Sequence, residues 1–291
     1  MDIANLQAFV AVAEHGSFSR AAEQLHLTQP AVSKRIALLE AELAVGLLDR
    51  LGRRVLLTEA GRTLLPRARH ILRELEDSRR LLRNLSGQVA GQLTVATSHH
   101  IGLHRLPPVL RRFVAEYPSV QLDMRFTDSE LGCEAVLRGE AELAIVTLPT
   151  VAHPPLQEQL IWRDPLVAVA GRDHPLAGED PVTAAQLAAH PAILPGSITF
   201  TRQIVDDYFA HQRLQPRIAF ATNYLETIKM MVAVGLGWSI LPHAMVDEGL
   251  AVLATEFRLA RRLGVVTHAG HTLSNAARAM LELLEGVADA H

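Results

Sequence analysis

Gly16-Ser17-Phe18-Ser19-Arg20-Ala21-Ala22 and Leu27-Thr28-Gln29-Pro30-Ala31-Val32-Ser33 are the two short runs that decide the fold of the chain's first part. Just before them, Leu6, Phe9, Val10 and Ala13 share one face of a helix. His15-Gly16-Ser17 ends that helix and prepares another. Ser19 to Leu25 reads as a short helix with Ala21 and Ala22 on a close-packed side, and His26-Leu27 as a tight turn. Thr28 is placed to N-cap a third helix that tolerates Pro30 in its first turn. That helix runs to about Glu40 and buries Val32, Ile36 and Leu39. Two helices joined by so short a turn form a helix-turn-helix. After Leu48, the alternation from Arg50 to Leu56 reads as a small hairpin, a wing, with arginines near its tip.

Outward from this unit, residues 58–86 form one long amphipathic helix, capped by Thr58 and ended by Gly87. Leu64, Ala68, Ile71, Leu75, Ser78, Leu82 and Leu85 are spaced 4-3-4-3-4-3. A stripe of period 3.5 is the pattern of paired helices. A helix from a second subunit covers such a stripe naturally; packing on the chain's own C-terminal part is the other solution.

From Gly91 short apolar runs alternate with helical stretches. The expected strands are 93–96, 120–126, 143–146, 166–170, 192–194, 217–221, 238–241 and 265–267. This alternation predicts an α/β architecture with mostly parallel sheets, as one large sheet or two small lobes. Asp164-Pro165 and Arg172-Asp173-His174-Pro175 are turn signals at which a second lobe can begin.

Composition bounds the function. The chain has 291 residues, 49% of them hydrophobic, enough to bury a core in each of two domains. Its net charge is −3, unevenly spread: residues 1–90 carry 13 Lys and Arg against 10 Asp and Glu, residues 91–291 carry 15 against 21. A basic front and an acidic back suggest that only the front touches a polyanion, but for so small an excess ordinary surface charge is the better explanation on its own. The single cysteine, Cys133, excludes a disulfide framework and a cysteine-rich zinc site. No apolar run is long enough for a membrane helix, and Asp2 with no basic segment argues against a secretory signal. A cytoplasmic protein without a membrane partner is expected. Neither a Gly-x-Ser-x-Gly elbow nor a glycine-rich phosphate loop occurs, so a hydrolase or nucleotide enzyme has no support. A transporter's solute-binding protein would share two lobes but carry an export signal and no helix-turn-helix.

The residues Phe9 to Gly61 resemble the N-terminal winged helix-turn-helix of LysR-type transcriptional regulators. Besides the runs quoted, the likeness includes Leu39-Glu40, Arg50, Val55-x-Leu57-Thr58 and Ala60-Gly61. Two departures are Leu48, where the family usually has Phe, and Ala44, where it usually has Gly; both read as packing changes. The remainder of the chain fits the family more loosely. The resemblance implies a winged helix-turn-helix over 1–58, a linker and dimerisation helix over 59–88, and a periplasmic-binding-protein-like effector domain over 89–291. The first lobe would take about 91–162 and 266–291, the second about 163–265. It further implies a homodimer, extended in many members to a homotetramer, that binds double-stranded promoter DNA, contacts RNA polymerase, performs no catalysis and takes a small-molecule effector, commonly an organic acid, between its lobes.

Side chains on the first turns of a recognition helix read base edges in the major groove. Gln29 can pair with adenine, Ser33 with a base edge or phosphate, and Lys34 with guanine or phosphate. Arg35 is a phosphate candidate, as are Thr28 and the free amides around Pro30 at the helix start. Arg53 and Arg54 sit where a wing follows the minor groove or backbone; a solvated surface arginine is the plain alternative for each.

Ligands of open α/β sheets bind beyond the carboxyl ends of the strands. Thr97, Ser98, His99 and His100 follow the first such strand, Ser129 the second, Thr147 the third. Ser197 and Thr199, and then Thr222 and Asn223, follow two later ones. Any of these hydroxyls can instead simply cap a helix. Arg202 is the one cation near these loops, so hydroxyls and amides are expected to do most of the binding, toward a small anion or organic acid. His100 and His104 have the i, i+4 spacing of a metal pair, but no carboxylate lies near in sequence, so no metal is expected and the only small molecule foreseen is the effector.

Overall fold

The structure is a computed structural model that describes residues 1–51 and 54–289. The chain divides into two compact units, Met1–Leu85 and Ser86–His291. In the first, α1 (Ile3–His15), α2 (Phe18–Gln24) and α3 (Gln29–Leu43) precede a two-stranded antiparallel sheet, β1 (Leu48–Leu51) with β2 (Arg54–Leu57), and the long helix α4 (Glu59–Asn84).

The helix boundaries follow from capping. Gly16 closes α1 at φ +58°, and the Ser17 hydroxyl accepts from Arg20 N at 3.4 Å to start α2. Thr28 does the same for α3, accepting from Ala31 N at 3.4 Å. Thr58 starts α4, accepting from Gly61 N at 3.0 Å and donating to Gly46 O at 2.8 Å. Gly61 is where backbone meets backbone: a Cβ there would lie 2.1 Å from Leu47 O. Ala44 ends α3 in the left-handed conformation, φ +53°. Its exchange for the family's usual glycine is therefore a backbone matter and not the packing change expected from sequence.

Leu6, Phe9, Val12, Phe18, Val32, Ile36 and Leu39 form the core of this unit. Helix α1 is buried on a wider arc than its four-residue stripe predicts, since Ala8 and Ala11 are buried as well. The wing strand is tied down where Val55 N donates to Gly16 O at 3.2 Å. The stripe of α4 has two fates: Leu64 and Ala68 pack on this core, whereas Leu82 and Leu85 are 70% and 83% exposed.

The second unit begins with β3 (Gly91–Thr97), α5 (His99–His104), α6 (Pro107–Glu116), β4 (Val120–Phe126), α7 (Ser129–Arg138) and β5 (Leu143–Thr147). β4, β3 and β5 are parallel neighbours. Then β6 (Leu156–Gly171) leads to α8 (Ala184–Ala189), β7 (Pro191–Leu194), α9 (Phe200–His211), β8 (Arg217–Ala221), α10 (Leu225–Ala233), β9 (Ser239–Pro242) and β10 (Leu250–Val252). The chain returns along β11 (Leu259–His268) and ends in α11 (Asn275–Glu285). The main sheet runs β10-β6-β11-β5-β3-β4, with β9 also on β6; β7 and β8 form a parallel pair of their own.

The sheet is mixed, which corrects the mostly parallel expectation. β6 and β11 pair with each other antiparallel, and β5, β9 and β10 join them antiparallel. Both strands cross between two lobes. One lobe is centred on Leu93, Val95, Phe113, Leu143 and Val265 with α11 against them, the other on Leu166, Leu194, Val205, Phe209 and Trp238. Asp164-Pro165, expected as a turn, lies inside β6, where Pro165 faces Ala260. The register slips by one residue beside Gly264, whose Cβ would stand 2.0 Å from Gln159 O.

Candidate functional site

Two surfaces gather the residues singled out from sequence. The first is the start of α3. Thr28, Gln29, Pro30 and Lys34 are exposed; Ser33 and Arg35 are half-buried, between the exposed arc and Val32, Ile36 and Leu39 beneath it. The first turn offers fewer amides than the sequence suggested: Pro30 has no N–H, and that of Ala31 goes to the Thr28 hydroxyl, which leaves Gln29 N. Arg54 opens β2, with only its backbone described, and Arg53 lies outside the described residues.

The second surface is a cavity between the lobes of the second unit. It encloses about 50 Å³, room for about four water-sized groups. Ser98, His99, His100, Ser129, Thr147, Thr199 and Asn223 line it, and the first five of these lie at or beyond the carboxyl ends of strands β3, β4 and β5 of the first lobe. Thr97, Ser197 and Thr222 do not. Thr97 is fully buried and donates to Ile145 O at 2.7 Å, bracing β3 to β5; Thr222 accepts from Tyr224 N at 3.5 Å; Ser197 is exposed.

Hydrogen bonding separates structural from available groups. Thr199 is committed: it caps α9, accepting from Arg202 N at 3.2 Å and donating to Gly196 O at 2.9 Å. Asn223 accepts from Gly196 N at 2.9 Å and donates to Asp128 Oδ2 at 2.7 Å, so it ties one lobe to the other. Ser129 accepts from Thr147 N at 3.1 Å and keeps its own hydroxyl proton to give. Ser98 precedes α5 without making a side-chain cap. The remaining donors toward a ligand are thus the hydroxyls of Ser98, Ser129 and Thr147.

Charge is the part that sequence reading missed. Arg202, the expected cation, is turned to Asp206 at 2.7 Å and to Pro195 O at 3.1 Å. The cavity's guanidinium is Arg261 of β11, 4% exposed, held by Asp164 Oδ2 at 2.5 Å and donating to the Thr201 hydroxyl at 3.4 Å. Asp164 also meets Arg105 at 3.4 Å. Around them stand Asp128, Glu130 and Glu226. Glu130 accepts from Phe200 N at 2.5 Å, at the first turn of α9 in the other lobe, and burial pushes its carboxyl above the usual range. Burial, with Arg261 close by, pulls His100 down to about 4, so its imidazole is neutral. His99 stacks on Phe126 at 5.6 Å and packs against Tyr224 at 5.2 Å, again across the cleft. An inward arginine inside an alternating strand, Leu259-Ala260-Arg261-Arg262-Leu263, was the available signal for Arg261. Nothing in the local sequence marks Glu226.

No described helix is long and apolar enough to cross a membrane. Residues 3–62 match the family model of the bacterial regulatory helix-turn-helix protein, lysR family, and residues 86–289 match the LysR substrate binding domain. An uncharacterized HTH-type transcriptional regulator of Azotobacter vinelandii is 73% identical over 108 residues, 37% of this chain and 75% of its own. The RuBisCO operon transcriptional regulator of Allochromatium vinosum is 30% identical over 290 residues, 98% of this chain and 95% of its own. The crystal structure of full-length CbnR complexed with its target DNA is similar at TM-score 0.64 and 25% identity, covering 99% of this chain and 100% of that one. Helix-turn-helix, two-lobed α/β unit and these relatives agree: the chain belongs to the LysR family of transcriptional regulators.

Proposed function

We propose that this regulator reads a promoter operator through the start of α3 and is controlled by a small organic acid bound between its lobes, without turnover of the ligand. The observation that carries the effector reading is the cavity itself, where hydroxyl donors and a buried guanidinium line one cleft between the lobes. Glu130 on Phe200 N shows the chemistry: a carboxylate already accepts from the α9 terminus. An effector carboxylate there replaces Glu130 or joins Arg261, while Asp128 and Glu226 accept from ligand hydroxyls. A small hydroxy acid combines both features. The ligand then biases the lobes only by its difference in affinity between their arrangements.

On the DNA side, residues 1–58 serve as the binding domain and 59–88 as the linker and dimerisation helix, with 89–291 as the effector domain. Gln29, Ser33 and Lys34 contact the major groove; Thr28, Arg35, Arg53 and Arg54 contact backbone. Leu82 and Leu85, exposed on a single chain, support a homodimer through the distal half of α4. Pairing of two heads sets their spacing on the operator, from which RNA polymerase is reached in the cytoplasm.

The test begins with an operator selected from random DNA by the full chain, followed by anisotropy titrations at several salt concentrations. Lys34→Ala should weaken binding at every sequence and reduce the salt slope by about one. An unchanged slope refutes the placement of Lys34. Hydroxy acids are then added to the wild-type complex, and Ser129→Ala should lower the response to whichever one acts. No response to any small acid removes the effector assignment and leaves the DNA assignment standing.

A further inference from the structure

At the mouth of the cavity three metal-ligating side chains converge from two elements far apart in sequence. His100 and His104 lie four residues apart on α5 and so share a face. Helix α10, from the other lobe, brings Glu226 to them. His104 Nε2 is 3.1 Å from Glu226 Oε1, and His100 Nδ1 is 3.8 Å from the same oxygen. One ligand atom from each of the three lies within 4.8 Å of the other two. The imidazole rings are 4.7 Å apart between centroids, tilted by 47°.

A His104–Glu226 hydrogen bond alone accounts for part of this, but not for His100. That residue is 6% exposed, and its Nδ1, aimed at Glu226, has no hydrogen-bond partner. At 3.8 Å the contact is too long for a hydrogen bond. A buried ring nitrogen left so is a costly arrangement unless something else fills the gap. A metal ion does this. Donors about 2.0–2.1 Å from a tetrahedral ion lie about 3.3 Å from one another. The 3.1 Å and 3.8 Å separations bracket that value. Asp164 offsets part of the charge of nearby Arg261, and Glu226 brings a carboxylate to the ion itself.

We propose that His100, His104 and Glu226 form a two-histidine, one-carboxylate site for a divalent transition-metal ion of the zinc class. Three protein ligands leave a coordination position for water or a ligand donor atom. The sequence alone argued against such a site because the carboxylate is 122 residues from His104. Since the histidines belong to one lobe and Glu226 to the other, a bound ion cross-links the cleft and favours its closed arrangement. The metal site shares His100 and Glu226 with the effector cavity but does not rest on the effector reading, because direct metal binding is measured with neither effector nor DNA.

The full-length chain, stripped with chelator, is titrated with Co²⁺ and then Zn²⁺. One equivalent of Co²⁺ should bind with a visible absorption band of low-coordinate cobalt, which Zn²⁺ then abolishes. At 100 times its Kd the ion should raise Tm by roughly 5–10 °C. His104→Ala and Glu226→Gln should each remove the band and weaken binding by more than the roughly 10–100-fold typical of losing an outer-shell contact. Both side chains are substantially exposed, and melting of the metal-free variants checks that they fold. Absence of saturable binding overturns the proposal. So does equal binding by wild type and both variants, which places the ion on other histidines such as the stacked His268 and His271.

Discussion

Asp164→Asn is the substitution whose cost the structure sets most sharply. Arg261 is 4% exposed and Asp164 1%. The two meet at 2.5 Å, and the second guanidinium contact, Nε to Oδ2, is 3.0 Å. Removing the carboxylate charge strands a buried guanidinium whose other partner is the Thr201 hydroxyl at 3.4 Å. Breaking such a pair from one side costs about 3–5 kcal/mol. For a unit of this size that is a fall in Tm of roughly 6–20 °C. Arg261→Met should cost less, because Asp164 keeps Arg105 at 3.4 Å. The double variant Asp164→Leu with Arg261→Met should recover much of the loss, as apolar replacements of buried pairs do. Urea and thermal melts of the full chain measure all three. A loss below about 1 kcal/mol for Asp164→Asn, the range of solvent-exposed pairs, refutes the reasoning. A double variant that is stable yet no longer responds to effector assigns the pair to ligand recognition and not to folding.

Two further outcomes follow from backbone and burial. Ala44→Gly relieves a left-handed residue at the end of α3 and should stabilise the first unit by about 1 kcal/mol; a melt showing destabilisation refutes the strain argument. His100, facing Arg261, Asp164, His104 and Glu226, is lowered from 6.5 to about 4 in the folded chain. In metal-free protein the unfolded state therefore binds a proton that the native state refuses, so stability is full above pH 6.5 and falls by up to about 3 kcal/mol as pH drops toward 4. His100→Asn should flatten that slope, as read from denaturant melts between pH 4 and 7; an identical slope assigns it to other groups.

The first unit was legible almost residue by residue because its information is local. Ser17, Thr28 and Thr58 cap the helices that follow them, and Gly16 ends the one before. In the second unit the apolar centres of the strands were found, but not their extent. Arg163, Asp164, Arg261 and Arg262 interrupt the apolar pattern of β6 and β11, so two long strands read as short ones with a turn between. Residues at the carboxyl ends of β3, β4 and β5 meet at the cavity, as expected from sequence, because the three strands are parallel neighbours and end on the same side of the sheet. Arg261 and Glu226 were missed because what brings them to the cavity is tertiary, and Asp164 because its role is to hold Arg261 from the neighbouring strand. Two of the expected effector residues spend their hydroxyls on the fold itself, Thr97 in bracing β3 to β5 and Thr199 in capping α9.

The paired course of β6 and β11 between the lobes has a mechanical consequence. Two separate connecting threads would let the lobes swing apart like a loose jaw. Here the threads are laced together from Leu259 opposite Leu166 to His268 opposite Leu156. Such a ribbon is stiff against splaying and yields most readily to torsion, and a register slip like the one beside Gly264 adds to the local twist. For an effector bound as proposed, the ribbon therefore favours rotation of one lobe on the other over opening of the cleft by splaying.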